Sequence, residues 1–220
     1  MFTDTAVSID TPQVSLDADL AVPDGARGVV LFAHGSGSSR HSPRNRMVAE
    51  HLHDYGFATV LADLLTPGEE RVDAETAALR FDIGLLSGRM IALIDWALTA
   101  EPVRDQPIGL FGASTGAAAA LVAAAERPEH VRAVVSRGGR PDLAGDALRD
   151  VRAAILLIVG ERDRQVIELN EQAGTILTAP HRTHIVPGAT HLFEEPGALL
   201  EVADRAAQWF TTYLSRHPES

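Results

Sequence analysis

The sequence contains no cysteine among its 220 residues. This absence excludes disulfide bonds, thiolate metal sites and a cysteine nucleophile. Basic residues are also few, because 19 Lys and Arg stand against 30 Asp and Glu, which gives a formal net charge of −11. Since an acidic surface repels phosphate groups, we expect neither nucleic acid nor an anionic membrane surface as a partner. A local basic pocket for a small anion is still compatible with this net charge.

Long apolar segments are missing as well. The N-terminal residues MFTDTAVSIDTPQ are acidic and polar, and they lack the basic and apolar regions of a signal peptide. Apolar stretches elsewhere, such as residues 153–159, are far too short to cross a bilayer. These features predict a cytoplasmic protein.

Short apolar runs with few polar residues are typical of parallel strands that are covered on both faces. Six such runs predict strands at residues 28–33, 57–62, 108–112, 131–136, 154–159 and 183–186. Residues 6–9 and 14–22 instead alternate between polar and apolar side chains. That alternation favours antiparallel edge strands with one face in water.

Amphipathic segments lie between the predicted strands. They predict helices at residues 44–55, 74–99, 115–126, 166–177 and 197–215. A strand followed by a helix, repeated along the chain, predicts a doubly wound and mostly parallel α/β sheet with helices on both faces. A hydrophobic content of 45% is enough for a sizeable core, and no linker or repeat divides the sequence. We therefore expect residues 1–220 to form one domain.

The sequence Gly112-Ala113-Ser114-Thr115-Gly116 follows a predicted strand and precedes an alanine-rich helix. It is a G-x-S-x-G pattern in the strand–turn–helix context of a catalytic nucleophile. Glycine on both sides of the serine removes side chains that would collide at so sharp a turn. In isolation the pattern also describes an ordinary glycine-rich turn. The strand and the helix around it favour Ser114 as the nucleophile.

A serine hydroxyl needs a base to take its proton. His191 is the predicted base, because it lies in the loop between the last strand and the last helix, where an open α/β sheet places its chemistry. The other histidines that follow Ser114 are interpreted as surface or partly buried side chains: His130, His181, His184 and His217.

The base in turn needs an acid that orients it, and Asp163 is the predicted acid. It follows the strand at residues 154–159, one strand before the histidine loop. Glu161 in the same loop and Asp142 after the preceding strand are the alternatives. Asp163 also suits the N-cap of the following helix, and the two roles are compatible.

A glycine-rich segment, HGSGSS at residues 34–39, follows the predicted strand at 28–33. An oxyanion hole takes one backbone N–H group from such a loop and one from the residue after the nucleophile. We assign these two N–H groups to Ser36 and Thr115. His34 is expected to brace the loop, since it precedes the nucleophile in the chain.

Taken together, these segments resemble the dienelactone-hydrolase-like branch of the α/β-hydrolase superfamily. The matching motifs, spread from about residue 29 to about residue 200, are VVLFAHGSGSSRHSPRNR, LADLLTPGEE, RFDIGLL, GLFGASTGAAAAL, SRGGRPDLAG, LLIVGERDRQV and GATHLFEEPGAL. The resemblance implies the eight-stranded α/β-hydrolase fold and the triad of Ser114, Asp163 and His191. Dienelactone hydrolases use cysteine where this chain has serine, so dienelactone itself is not expected as the substrate. Similar sequences occur alone or attached to a phosphoribosyltransferase-like domain, which these 220 residues do not contain.

Several arginines follow the carboxyl ends of predicted strands. Arg44, Arg137 and Arg140 are candidates for binding an anionic substrate group such as a carboxylate or a phosphate. The alternative is that they are solvated loop residues in salt bridges with the many acids. We favour this alternative for Arg40 and Arg46.

These features predict a serine hydrolase that needs no cofactor or metal and cleaves carboxylic esters or lactones through an acyl-enzyme. The lack of a long insertion after the strand at 131–136 predicts a minimal lid and favours small soluble substrates. An acyltransferase or perhydrolase would use the same triad and differ only in what attacks the acyl-enzyme. A non-catalytic binding protein on a hydrolase scaffold is the third possibility. The sequence makes no prediction of oligomeric state.

Overall fold

The computed structural model describes residues 2–214, with side chains from residue 5 onward. These residues form an eight-stranded sheet covered by helices, which confirms the predicted α/β-hydrolase architecture. The strands are β1 (Phe2–Asp10), β2 (Ser15–Pro23), β3 (Val29–Ala33), β4 (Ala58–Ala62), β5 (Ile108–Ala113), β6 (Val131–Arg137), β7 (Ala154–Gly160) and β8 (His181–Val186).

Helices connect the strands from β3 onward. They are α1 (Pro43–Asp54), α2 (Pro67–Thr76), α3 (Ile83–Ala97), α4 (Thr115–Glu126), α5 (Arg164–Ile176) and α6 (Ala198–Tyr213), with 3₁₀ segments at Leu79–Phe81 and Pro141–Arg149. No helix within residues 2–214 is both long and apolar enough to span a bilayer.

The strands run in the order β1-β2-β4-β3-β5-β6-β7-β8 across the sheet. As predicted, the first two strands are antiparallel: β1 pairs with β2, and β2 pairs with β4. Strands β3 to β8 are parallel to one another. Because β3 and β5 are neighbours, the loops that follow them meet at one edge of the sheet, which is where open α/β sheets bind ligands.

The core consists of two layers, one on each face of the sheet. Side chains of α3 and α4 pack on one face, and those of α1 and α6 pack on the other. Every residue of β3, β4, β5 and β7 is buried. Burial on both faces explains why these strands have continuous apolar sequences rather than alternating ones.

The predicted continuous helix at residues 74–99 is wrong. Helix α2 begins earlier, where the Thr66 hydroxyl accepts a hydrogen bond from the Glu69 N–H and the Glu69 carboxylate accepts one from the Thr66 N–H. It ends at Ala77, which has a left-handed φ of 54°. The carboxylate of Asp82 then caps the first turn of α3. Caps satisfy the N–H groups that the start of a helix leaves without partners. Because α2 and α3 each have their own cap, the chain forms two helices although the apolar spacing continues between them.

The junction between β5 and α4 is packed tightly against neighbouring backbone. A Cβ atom at Gly112 would lie 2.4 Å from Cα of Ala117, and one at Gly116 would lie 2.3 Å from the carbonyl oxygen of Ala33 in β3. Non-bonded heavy atoms do not approach so closely without displacing the backbone. These contacts explain the glycine on both sides of Ser114.

Replacing Gly116 by alanine should therefore destabilise the fold. We expect Gly116→Ala to lower the free energy of unfolding by about 3 kcal/mol or more, because its methyl group has no room beside β3. Chemical denaturation measures this change.

Gly88→Ala is the matched control, since Gly88 lies in α3 and a Cβ atom there has nothing within 4 Å. We expect this variant to gain about 0.5–1 kcal/mol from helix propensity. Equal effects of the two substitutions would contradict the packing described here.

His34 is a buried side chain that connects the end of β3 to the loop after β4. Its Nε2 atom accepts a hydrogen bond from the Leu64 N–H at 2.9 Å, and its Nδ1 atom lies 3.0 Å from the carbonyl oxygen of Gly35. An Nε2 acceptor together with an Nδ1 donor corresponds to the neutral imidazole. Burial lowers the pKa of His34 accordingly. The expectation that His34 braces this loop matches these contacts.

The lowered pKa of His34 predicts a pH-dependent stability. At a pH above the unfolded pKa of about 6.5, the imidazole is neutral in both states and the stability is complete. As the pH falls below that value, the unfolded chain binds a proton that the folded chain resists, so the unfolding free energy decreases by at most about 1.4 kcal/mol per pH unit. Urea denaturation at pH 7.5 and pH 5.5 measures the loss.

His34→Gln is the comparison variant for this measurement. A glutamine oxygen can accept the Leu64 N–H near the position of Nε2 without titrating. The variant should therefore show a smaller loss between the two pH values. An identical loss in both proteins would show that His34 does not contribute.

Candidate active site

Ser114 occupies the turn between β5 and α4 with a φ of 51° and a ψ of −122°. A positive φ is uncommon for a residue other than glycine and costs on the order of 1–3 kcal/mol. Backbone hydrogen bonds stabilise the turn, since the Ser114 N–H donates to the Arg137 carbonyl at 3.3 Å and the Ser114 carbonyl accepts from the Arg140 N–H at 3.1 Å. This places the predicted nucleophile, half-buried, at the carboxyl end of β5.

The predicted base and acid are brought together. Nδ1 of His191 lies 2.6 Å from Oδ2 of Asp163, although the two residues are 28 positions apart in the chain. The Asp163 side chain is 16% exposed and that of His191 is 41% exposed, so the acid lies beneath the base. Asp163 holds the N-cap position of α5, but its side chain makes no capping hydrogen bond. Its carboxylate is therefore available to orient the imidazole.

The alternative acids have other partners. A carboxylate oxygen of Glu161 accepts the Gly188 N–H at 2.7 Å. Asp142 is paired with Arg140. Neither carboxylate contacts His191 in the described structure, which leaves Asp163 as the one that does.

The other histidines lie away from Ser114. Nε2 of His184 is 2.7 Å from Oε1 of Glu201 in α6. His130 is exposed in the turn before β6, and His181 is the exposed first residue of β8. His217 lies outside the described residues.

Ser114 and His191 both border the end of β6. The Ser114 N–H donates to Arg137, and the next residue, Gly138, lies directly against the imidazole. A Cβ atom at Gly138 would come within 3.4 Å of both Cε1 and Nδ1 of His191. Gly138 also has a positive φ of 51°. Residues 2–214 contain no hydrogen bond between the Ser114 hydroxyl and His191, and such bonds are often long in unliganded sites and tighten when substrate binds.

The loop that carries His191 is held by residues that no motif in the sequence indicates. Phe193 is buried among side chains of α1 and α6 in spite of a positive φ of 56°. The Thr190 N–H donates to the Glu195 carboxylate at 3.0 Å, which lowers the pKa of that carboxyl. A phenylalanine and a glutamate near a histidine form no recognisable motif, so only the three-dimensional structure reveals this support.

The two oxyanion-hole candidates lie side by side. The hydroxyl oxygens of Ser36 and Thr115 are 3.4 Å apart. Gly35 allows the loop to approach closely, because a Cβ atom there would lie 3.0 Å from Cβ of Ser114. Within residues 2–214, neither the Ser36 N–H nor the Thr115 N–H donates a backbone hydrogen bond. Two unused donors beside the predicted nucleophile are what an oxyanion hole requires.

Beside these donors lies a cavity of about 310 Å³. Besides the glycine-rich loop, its lining includes Leu65, Glu70, Asp73, Arg80 and Leu86. Asp73 is buried there, and Nε of Arg80 donates to its carboxylate at 2.7 Å. This pair links α2 to the following 3₁₀ segment, whereas the sequence predicted an uninterrupted helix from residue 74 to residue 99. The cavity was therefore not predictable from the sequence.

Four of the five candidate arginines have an acidic partner, and three of these pairs are close contacts. The close pairs are Arg40 with Asp63, Arg46 with Asp19, and Arg140 with Asp142. The Arg140 guanidinium donates to both oxygens of Asp142, which raises the pKa of Arg140. The salt-bridge interpretation thus fits Arg40 and Arg46, and it extends to Arg140.

Arg44 and Arg137 differ from these three. One nitrogen of Arg44 lies 3.4 Å from Glu194, which is 64% exposed. Arg137 is 9% exposed. Burial, together with the nearby positive charge of Arg44, lowers the pKa of Arg137 to about 10.

Comparison with known proteins shows which family this chain belongs to. A family model described as the alpha/beta hydrolase fold matches residues 28–194. Two Mycobacterium tuberculosis proteins that carry the name phosphoribosyl transferase are 55% identical to this chain over 211 residues, which is 96% of this chain and 47% of theirs. The chain therefore spans about half the length of the curated relatives it matches.

Solved structures agree with the family model. The crystal structure of a dienelactone hydrolase from Anabaena variabilis is 56% identical, covers 97% of this chain and 99% of its own, and has a TM-score of 0.95. Est1E from Butyrivibrio proteoclasticus covers 94% of this chain and 98% of its own, with a TM-score of 0.79 at 17% identity, which shows a shared fold alone. On the family match and the Anabaena structure, the chain belongs to the α/β hydrolases, in their dienelactone-hydrolase-like branch.

Proposed function

We propose that this protein is a serine hydrolase that cleaves carboxylic esters or lactones of small soluble substrates through an acyl-enzyme. The observation that carries the proposal is the 2.6 Å contact between His191 and Asp163 beside the turn that holds Ser114. A carboxylate on Nδ1 selects the tautomer whose Nε2 is free to take a proton. That is the form of histidine that a serine nucleophile requires.

In the first half of the proposed reaction, Oγ of Ser114 attacks the substrate carbonyl carbon while Nε2 of His191 takes the hydroxyl proton. The resulting oxyanion accepts hydrogen bonds from the Ser36 and Thr115 N–H groups. His191 then gives its proton to the departing alkoxide as the carbon–oxygen bond breaks. Asp163 stays ionised and stabilises the imidazolium throughout.

In the second half, His191 takes a proton from water, and the hydroxide attacks the acyl carbon. Collapse of the second tetrahedral intermediate releases the carboxylic acid, and His191 returns the proton to Ser114. With a lactone the alcohol remains attached to the acyl group, so the product is a hydroxy acid. Product analysis in the presence of an added alcohol or peroxide distinguishes hydrolysis from acyl transfer by the same acyl-enzyme.

The dimensions of the site support small substrates. The cavity beside the oxyanion donors has about 310 Å³, at the lower end of the usual range for small-molecule sites. We also propose that residues 1–220 act as one hydrolase domain. The Mycobacterium tuberculosis relatives named phosphoribosyl transferase are about twice as long, and the segment they share with this chain is the one that holds Ser114, Asp163 and His191.

Removing the Ser114 hydroxyl should abolish ester hydrolysis. We expect Ser114→Ala to lower kcat for 4-nitrophenyl acetate and butyrate by on the order of 10³-fold or more, because the covalent step is lost. Ser15→Ala, in the exposed hairpin between β1 and β2, is the control and should keep wild-type activity. Comparable activity of Ser114→Ala and wild type would refute the proposed nucleophile.

Neutralising the orienting acid should reduce kcat while leaving the fold intact. We expect Asp163→Asn to lower kcat by on the order of 10²–10⁴-fold, because an amide in place of the carboxylate allows the wrong tautomer of His191. Steady-state kinetics and the thermal unfolding midpoint are measured together.

A second histidine–carboxylate pair of nearly the same length provides the matched control. Glu201→Gln alters the 2.7 Å contact with His184, away from Ser114, and should leave kcat near the wild-type value. Equal losses in Asp163→Asn and Glu201→Gln would show that the effect is general and that Asp163 has no special role.

A further inference from the structure

The turn at residues 137–140, which follows β6, contacts both Ser114 and His191. Two backbone hydrogen bonds join it to the nucleophile. The Ser114 N–H donates to the Arg137 carbonyl at 3.3 Å, and the Ser114 carbonyl accepts from the Arg140 N–H at 3.1 Å. On its other side the turn lies against the imidazole of His191. The relative position of the predicted nucleophile and the predicted base therefore depends on the conformation of this turn.

The centre of the turn has no side chain that could anchor it. Gly138 is the residue in contact with His191, and it has a positive φ of 51°. At Gly139 a Cβ atom would lie only 1.9 Å from Oγ of Ser136, so a side chain has no room there. Two successive glycines allow many backbone conformations, and the turn keeps one of them only if neighbouring elements hold it. One such contact is the Gly138 N–H, which donates to the Ile158 carbonyl of β7 at 2.8 Å.

The other contact comes from the side chain of Asn170 in α5, which is 0% exposed. Its Nδ2 atom donates to the Gly139 carbonyl at 3.0 Å and to the Val166 carbonyl at 2.7 Å. Both N–H groups of the amide are thus used, and the bond to Val166, one turn back in the same helix, fixes the orientation of the other. The Gly139 carbonyl is held by a side chain that is itself held.

Asn170 is costly for the stability of α5. Asparagine is one of the weaker helix formers, and burying a polar amide requires hydrogen bonds in compensation. Its Oδ1 atom is buried and has no hydrogen-bond partner within residues 2–214. An apolar side chain would avoid both costs. The feature that favours asparagine at this position is therefore its donor, which reaches the turn beside Ser114 and His191.

Helix α5 also carries the predicted acid. Asp163 is the N-cap residue of this helix, and Asn170 lies seven residues further on, about two turns along it. The helix is thus attached to the candidate site at two points. One is the contact of Asp163 with His191, and the other is the hydrogen bond from Asn170 to the turn at residues 137–140.

We propose that Asn170 is a positioning residue, which fixes the turn at residues 137–140 and through it the backbone of Ser114 and the imidazole of His191. This inference rests on the proposed hydrolase function and adds a residue to it. Asn170 contacts neither the substrate nor the reacting atoms, so it acts only through alignment. A displacement of about 1 Å between reacting groups lowers a rate by on the order of 10²-fold.

Asn170→Leu removes the donor and keeps the branched arrangement of heavy atoms. We expect kcat for 4-nitrophenyl butyrate to fall by about 10- to 100-fold with KM near the wild-type value, because alignment is lost and substrate contacts are not. Thr59→Val is the matched control. Thr59 is 0% exposed near the amino end of β4, and its hydroxyl lies 2.8 Å from Nε2 of His53. Equal kcat losses in the two variants would reduce Asn170 to a buried polar group and overturn the inference.

Asn170→Asp makes the donor depend on pH. A protonated carboxyl group can donate to the Gly139 carbonyl, whereas a carboxylate can only accept. We expect the ratio of variant to wild-type kcat/KM to be highest at pH 6 and to fall by about 10-fold or more toward pH 9. Taking the ratio removes the titration that His191 contributes to both proteins. A new negative charge alone would raise the pKa of His191 and give the opposite slope. A ratio that rises with pH, or that at pH 6 is no higher than that of Asn170→Leu, would overturn the inference.

A measurement without substrate separates this inference from the proposed function. The proton between Nδ1 of His191 and Asp163 should give a far-downfield signal in the proton NMR spectrum, identified by its loss in Asp163→Asn. We expect the signal to shift or broaden in Asn170→Leu and to stay unchanged in Thr59→Val. If the wild type hydrolyses esters but Asn170→Leu keeps both kcat and the signal, the inference is refuted and the hydrolase proposal stands. If no ester is hydrolysed but only Asn170→Leu alters the signal, the hydrolase proposal fails and Asn170 still positions His191.

Discussion

The first turn of α4 lies so close to β3 that a single methyl group on Gly116 would come within 2.3 Å of the Ala33 carbonyl. This approach positions the whole candidate site. It brings the start of α4, with the free Thr115 N–H, against the loop that carries Ser36. It also requires the chain to leave β5 through the strained conformation of Ser114. The nucleophile and the oxyanion donors are thus positioned by backbone packing, which no rotation of a side chain can alter.

The second half of the site depends on contacts between distant parts of the chain. The loop after β7 provides Asp163 and the loop after β8 provides His191. These loops touch, since the Arg162 N–H donates to the Ala189 carbonyl at 2.9 Å, and a Cβ atom at Gly160 would lie 2.5 Å from the same oxygen. Phe193 anchors the histidine loop in the core on the α1 and α6 side. The imidazole therefore has a rigid support on one side and the Gly138 backbone on the other. Such an arrangement lowers the entropy that the reaction must lose on reaching its transition state.

The features of the site that the sequence predicted are those formed by residues close together in the chain. The strand, the sharp turn and the glycines around Ser114 are adjacent in the chain. The order of serine, acid and histidine, together with the loops that follow the strands, favours His191 as the base and Asp163 over Glu161 and Asp142 as the acid. The division between α2 and α3 was missed, because an apolar spacing of three and four continues through it while the Asp82 cap acts on only a few residues. The state of each arginine was also beyond the sequence, since Arg140 and Arg137 occur in the same motif and only folding gives one an acid and leaves the other unpaired.

The central claim is that Ser114 is an activated nucleophile, and covalent labelling tests it most directly. A fluorophosphonate probe reacts with a serine whose proton is removed by a neighbouring base, and the tryptic peptide 105–132 contains one serine, Ser114. We expect one equivalent of probe per folded chain, located by mass spectrometry on that peptide. A folded protein that takes up no probe, or takes it up on another peptide, would contradict the assignment of Ser114.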